Sequence, residues 1–216
     1  GVSSDGTSFG FSISENNYAG KGIRLISSLD LSEDKIKGQF NILNPNYNYT
    51  DRALSVNVSS MITDKLTKNG YKSSKTGFTF GTSFEQYENL SISPNISTYL
   101  EKLETNSSAI ATLKKQEGNY FDTTVGYTVL YDKRDRRWRT TEGFMSKFIQ
   151  NIPILADDTA ILNGYEFSKY NKWGDDVITK ISLYTRAINS LDDSKDVRIS
   201  ERLSLPRTKL RGFEYS

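Results

Sequence analysis

The stretch Phe121-Asp122-Thr123-Thr124-Val125-Gly126-Tyr127-Thr128-Val129-Leu130-Tyr131 decides the fold. Phe121, Val125, Tyr127, Val129 and Tyr131 share one parity; Asp122, Thr124, Gly126 and Thr128 share the other. Successive side chains of a strand point to opposite faces, so a period of two makes one apolar and one polar face. A soluble sandwich alternates too, but its wet face is usually coated with Lys and Glu. Here the polar parity is mostly small. Small polar side chains suit the crowded, wet inside of a barrel.

The same period runs through the rest of the chain. Phe9, Phe11 and Ile13 alternate with Ser8, Gly10, Ser12 and Ser14. Ile23, Leu25, Leu29 and Leu31 oppose Arg24, Ser28 and Asp30. Ile36, Phe40 and Ile42 oppose Lys37, Gln39 and Asn41, and Leu54, Val56 and Val58 oppose Ser55, Asn57 and Ser59. Phe78, Phe80 and Phe84 oppose Lys75, Thr79, Ser83 and Glu85, and Leu90, Ile92, Ile96 and Leu100 oppose Asn89, Ser91, Asn95 and Ser97. The last third alternates less cleanly, with strands near 143–151, 159–171 and 176–189. About ten strands result, most near the roughly 9–11 residues that cross a bilayer. The expected fold is all-β: a transmembrane antiparallel up-and-down β-barrel. Phe9, Phe11, Ile13, Leu25 and Leu29 are expected on the lipid face, and Ser12, Ser28 and Asp30 on the interior face.

Composition agrees. The 216 residues suit a single domain, and 36% hydrophobic residues with a mean hydropathy of -0.56 are few for a soluble core of that size. No apolar run of about 18 residues exists to form a transmembrane helix. The opening Gly1-Val2-Ser3-Ser4 has neither a charged nor an apolar leader region, so a signal peptide is expected to be absent or to lie outside this sequence. The absence of Cys excludes disulfides, thiol catalysis and Cys-based metal sites, and the absence of His excludes Ser-His-Asp triads, His-zinc sites and imidazole acid–base chemistry. No catalytic, cofactor-binding or metal-binding residues are expected, and the chain reads as a non-enzyme. With 28 basic and 26 acidic residues it has no expected nucleic-acid face.

The 13 Tyr and 11 Phe are the unusual excess. Tyr18, Tyr47, Tyr49, Tyr71, Tyr87, Tyr120 and Tyr170 fall near strand ends, where the expectation is an aromatic girdle or, for some of them, simple packing of the turns. Connections at 16–22, 44–51, 85–88 and 170–176 form one series. Those at 64–70, 101–119 and 191–216 form a longer one, expected to be external. Ala109–Lys115 offers a short helix, but a solvated loop is the expectation. Asp157-Asp158, Asp175-Asp176 and Asp192-Asp193 lie in polar loops without EF-hand spacing, so ordinary loop chemistry is expected of them.

Four segments then occur in order. Glu15-Asn16-Asn17-Tyr18-Ala19-Gly20-Lys21-Gly22 comes first and Asn44-Pro45-Asn46-Tyr47 second. Tyr131-Asp132-Lys133-Arg134-Asp135, with Thr140-Thr141-Glu142-Gly143 downstream, is third. Ser200-Glu201-Arg202-Leu203-Ser204-Leu205 leads through Pro206 to Leu210-Arg211-Gly212-Phe213-Glu214, the fourth. Together they resemble the turn and loop motifs of the BamA-type outer-membrane protein assembly factors, a POTRA–barrel superfamily. The chain departs from the pattern in lacking a Pro before Gly143 and in inserting a residue in the second turn.

The resemblance implies a sixteen-strand barrel, of which residues 1–216 are a partial C-terminal barrel domain. That portion is about strands 2–11 and the start of the long loop after strand 11, truncated at both ends, with the POTRA domains outside it. It implies folding and insertion of β-barrel proteins into the outer membrane of a Gram-negative envelope, without ATP or cofactor. Unpaired strand edges cannot stay bare in lipid, so a barrel with a weak seam can template a client strand. The alternative is a two-partner secretion or translocation pore of the same superfamily. Implied partners are unfolded barrel clients, accessory periplasmic lipoproteins and outer-membrane lipid. The implied loop motif is Leu210, Arg211, Gly212 and Phe213, with Arg211 in the lumen against acidic and aromatic groups expected beyond residue 216. The implied periplasmic turn motif is Asp132, Arg134, Asp135 and Gly143. Two readings of that turn stand: a contact for POTRA domains, or ordinary turn chemistry.

Overall fold

The structure, a computed structural model, describes residues 2–3, 6–157, 159–174 and 176–205. Its strands are β1 (Val2–Ser3), β2 (Gly6–Tyr18), β3 (Ile23–Ser32), β4 (Lys35–Asn44), β5 (Ala53–Lys65) and β6 (Tyr71–Tyr87). They continue with β7 (Leu90–Thr105), β8 (Gly118–Asp132), β9 (Gly143–Ala156), β10 (Ala160–Trp173) and β11 (Val177–Ser190). They form one sheet in sequence order, β1 to β11, each strand antiparallel to the one before it. The ten long strands run 10–17 residues and several exceed the alternation read from the sequence; β7, for example, continues to Thr105.

Register puts the parities where the period of two places them. Phe11 lies opposite Leu29, Ser12 opposite Ser28, and Gly10 opposite Asp30. Val58 is flanked by Phe40 and Phe78. One face is therefore apolar across the sheet. It is also exposed, with Phe9 63%, Phe11 54% and Ile13 60% accessible. Among the described residues the buried hydrophobics are only Leu103 and Leu113, whereas Ser73, Ser97, Glu101, Asp122, Thr123, Ser168 and Arg198 are buried polar groups. A soluble domain hides its apolar side chains, so this inverted distribution needs a lipid-like solvent on the apolar face.

The two ends of the sheet differ. One end, the turn end, carries the β2–β3, β4–β5, β6–β7, β8–β9 and β10–β11 connections. The other, the loop end, carries the short β3–β4, β5–β6 and β9–β10 connections, the longer β7–β8 connection and the segment that follows β11. The β7–β8 connection is not the plain loop expected. It contains a one-turn helix, α1 (Ala111–Lys114), because Leu113 is buried there. The tyrosines also divide. Tyr18, Tyr47, Tyr49 and Tyr87 are exposed at the turn end. Tyr71, Tyr120 and Tyr170 share the polar face through their ladder positions and are only half-exposed, so they do not belong to a girdle.

Candidate functional site

The polar face concentrates its charge near the loop end. Glu101 of β7 lies opposite Tyr120 of β8, and Tyr99 opposite Asp122, so Glu101, Tyr120 and Asp122 project from the same face. The segment after β11 folds back onto them. Arg198, 1% exposed, donates from Nη1 to Glu101 Oε2 at 3.0 Å and from Nη2 to Asp122 Oδ2 at 2.7 Å. Its guanidinium carbon stands 3.9 Å from the Tyr120 ring centroid. Ser73 Oγ donates to the other Glu101 oxygen at 2.5 Å. Glu201, one turn further along, lies 3.8 Å from Arg198 Nη2 and 3.5 Å from Lys75 Nζ.

The backbone joins the same network. Ile199 N–H donates to Gln116 Oε1 at 2.9 Å, and Tyr120 OH donates to the Gln116 carbonyl at 2.5 Å. Three remote segments thus meet at one guanidinium. Burial works against the charge on Arg198, but Asp122, Glu201 and Glu101 outweigh it and hold its pKa above the ordinary arginine value. The cluster has three carboxylates and two cations, and Asp122 Oδ1 is buried without a donor among the described residues. A second pair stands nearer mid-sheet on the same face. Arg186 Nη2 donates to Glu166 at 2.6 Å, and its guanidinium occupies the space a side chain at Gly164 would take.

At the turn end, Asp132 closes β8 and takes Arg134 in a two-point contact, Nε and Nη2 each at 2.7 Å. Asp135 Oδ1 accepts the Thr141 and Glu142 backbone N–H groups at 3.0 and 3.3 Å. Its Oδ2 accepts Thr141 Oγ1 at 2.7 Å and Arg136 Nε at 3.1 Å. The Thr141 hydroxyl, with Arg136 and the two backbone donors, holds the Asp135 carboxyl well below the usual carboxylate range, against a smaller desolvation penalty. Gly143 has φ 96° and packs against Lys133 and Arg134 backbone so closely that no Cβ fits. Of the acidic pairs, Asp158 and Asp175 lie outside the described residues; Asp157 accepts Phe121 N–H across the sheet at 2.7 Å and Asp192 accepts Ser194 N–H within its own loop at 2.9 Å.

A family model described as "Omp85 superfamily domain" matches residues 6–216. The chain belongs to the Omp85 superfamily. The structure of this Omp85 domain is similar to the crystal structure of BamA from Haemophilus ducreyi lacking POTRA domains 1-3, with a TM-score of 0.77 at 19% identity. The match covers 94% of this chain and 42% of that one, so the chain spans less than half of that BamA chain. At this identity the likeness concerns the fold: an antiparallel up-and-down barrel wall. No curated protein sequence matches the chain.

Among the residues singled out from sequence, Asp132, Arg134, Asp135 and Gly143 come together in one turn of this Omp85 domain. Leu210, Arg211, Gly212 and Phe213 lie outside the described residues. Sequence reasoning missed Arg198 with its partners Glu101, Tyr120 and Asp122. One signal was present: Asp122 is a formal charge on the small polar parity of the stretch that decides the fold, and such a charge needs a partner inside a barrel.

Proposed function

We propose that this Omp85 domain is part of the wall of an outer-membrane barrel that helps unfolded β-barrel clients to fold and insert. Residues 1–216 supply a partial barrel domain, with the turn end in the periplasm and the loop end outside. Accessory periplasmic lipoproteins and outer-membrane lipid complete its surroundings, and neither a cofactor nor a catalytic residue is required. Asp132, Arg134, Asp135 and Gly143 shape the periplasmic β8–β9 turn.

The observation that carries this reading is the return of the segment after β11 to the polar face through Arg198, thirteen residues before Arg211. A loop rooted there is aimed into the interior, where Leu210–Phe213 would lie. The excess carboxylate of the cluster and the free Asp122 oxygen favour a further cation in that space.

The test is client-barrel folding by the full-length protein in proteoliposomes, with protease sensitivity of the loop measured alongside. Arg211→Ala is expected to slow client folding more than any other single change in 200–216 and to expose the loop. Arg211→Lys rescues only in part, because an ammonium cannot make the planar two-point contact. Unchanged folding with an unchanged cleavage pattern in Arg211→Ala would overturn the reading.

A further inference from the structure

The β8–β9 turn holds more charge than its own geometry uses. Residues 132–142 contain five cations and three carboxylates, a net of +2, which equals the net charge of the whole chain. Asp132 pairs with Arg134 at 2.7 Å and lies 3.8 Å from Arg137 Nε, and Asp135 accepts Arg136 Nε at 3.1 Å, so two carboxylates are shared among three arginines of the turn. Arg136, Arg137, Trp138 and Arg139 form its tip and are exposed, Trp138 by 82%. Arg139 makes no ion pair among the described residues and has φ 54°, a left-handed conformation that costs a non-glycine residue energy. The Lys133 ammonium leans over the ring of Tyr131, 5.5 Å from its centroid, and Tyr131 belongs to the apolar face.

A second observation concerns the whole turn end. Every exposed Tyr and Trp among the described residues is there: Tyr18, Tyr47, Tyr49, Tyr87, Trp138 and Trp173. They occupy all five connections or the strand ends beside them. Tyr and Trp concentrate where one end of the ring meets hydrocarbon and the other meets water. That row therefore marks the headgroup level, and the basic tip stands at it.

We propose that Arg136, Arg137, Trp138 and Arg139 bind the headgroups of anionic phospholipids in the leaflet at the turn end. The inference rests on the membrane-spanning reading of the sheet. The Trp138 ring inserts among the glycerol and acyl regions, while the guanidinium groups hold phosphate oxygens in two-point contacts. The Asp132–Arg134 and Asp135–Thr141 contacts keep the tip shaped before lipid arrives. An acidic protein would also complement the charge, but it would not explain aromatics on all five hairpins.

The test uses the full-length protein in bilayers, with Trp138 as the sole tryptophan after Trp→Phe replacement elsewhere. Quenching by brominated phosphatidylglycerol is compared with quenching by brominated phosphatidylcholine at equal mole fraction. Trp138 is expected to be quenched more by the anionic lipid, with the preference shrinking as salt rises. In Arg137→Gln/Arg139→Gln the preference should fall by roughly five-fold per arginine at low salt. Equal quenching by the two lipids would overturn the proposal. A parallel sample carries Phe11→Trp as its sole tryptophan. If Phe11→Trp is quenched and Trp138 is not, the tip is covered by protein and the lipid contact is wrong. If neither is quenched, the membrane-spanning reading itself fails, and the proposal with it.

Discussion

The two ends of the sheet are built from the same strands by opposite means. At the turn end the contacts are local. Asp132 and Arg134 are 2 residues apart, and Asp135 and Thr141 are 6. All six non-glycine residues with positive φ among the described residues are there: Ala19, Asn48, Tyr49, Asp51, Asn89 and Arg139. At the loop end the decisive contacts span 97 residues, Arg198 to Glu101, and 76, Arg198 to Asp122. Short connections force the backbone into tight shapes and satisfy polar groups nearby. A long segment has no such constraint. It is placed only where a distant group offsets the entropy of holding it.

That contrast predicts unequal sensitivity. The largest effect is expected for Arg198→Ala, which leaves Glu101 and Asp122 buried without their counter-charge. Removing one partner of a buried ion pair costs about 3–5 kcal/mol. Limited proteolysis should cut within 191–205, while β8–β9 turn cleavage stays unchanged. Equal protection of 191–205 in variant and parent would show that the loop end is not held by this long-range contact. Neutralising both carboxylates as well, with Glu101→Gln and Asp122→Asn, should restore stability but not loop protection.

Next comes Gly143→Ala. The left-handed backbone and the contact with Lys133 and Arg134 make any Cβ costly, by about 1–3 kcal/mol. Urea unfolding in detergent measures it, and amide exchange should rise in 133–142 alone. Spread of that loss to Arg198 would blur the distinction between the ends. Tyr120→Leu sharpens it from the other side. It removes the ring beneath a desolvated guanidinium, worth up to about 2 kcal/mol, and should loosen 191–205 without touching the turns. A stability unchanged within error would mean that the carboxylates alone seat Arg198.

The smallest effect concerns acid. The folded pKa of Asp135 is depressed, so its contribution is present above the ordinary carboxylate pKa of about 4 and is lost as pH falls through the folded value. Asp135→Asn should therefore show faster exchange of the Thr141 and Glu142 amides at neutral pH. The difference from the parent should close only in strong acid. A difference that already vanishes at mildly acidic pH would show that the turn donors do not stabilise the charged form.

Much of this was legible from residue types. The period of two assigned Phe11 and Leu29 to one face and Ser12 and Ser28 to the other. The turn at Asp132–Asp135 with Gly143 downstream came from the family resemblance, and the left-handed, crowded backbone of Gly143 is visible only in the structure. Errors arose where a residue's role depended on its depth and face rather than its place near a strand end. Tyr71, Tyr120 and Tyr170 resemble Tyr18 and Tyr87 in sequence position, yet their ladder positions turn them to the polar face. Leu113 turned an expected solvated loop into a helical turn by finding a buried place.

The sequence by itself determined the strands, their two faces and the places of the connections, because each depends on neighbours within a few residues. Backbone sterics and side-chain alternation are readable at that range. Only the tertiary structure decided that Arg198, among 28 basic residues, meets Glu101 and Asp122. Strand register brings those two carboxylates together on one face, and a cation about two or more strand hairpins away in sequence can find them only once the sheet exists. Coulomb attraction reaches any partner that folding brings close, and no local pattern encodes which one that is.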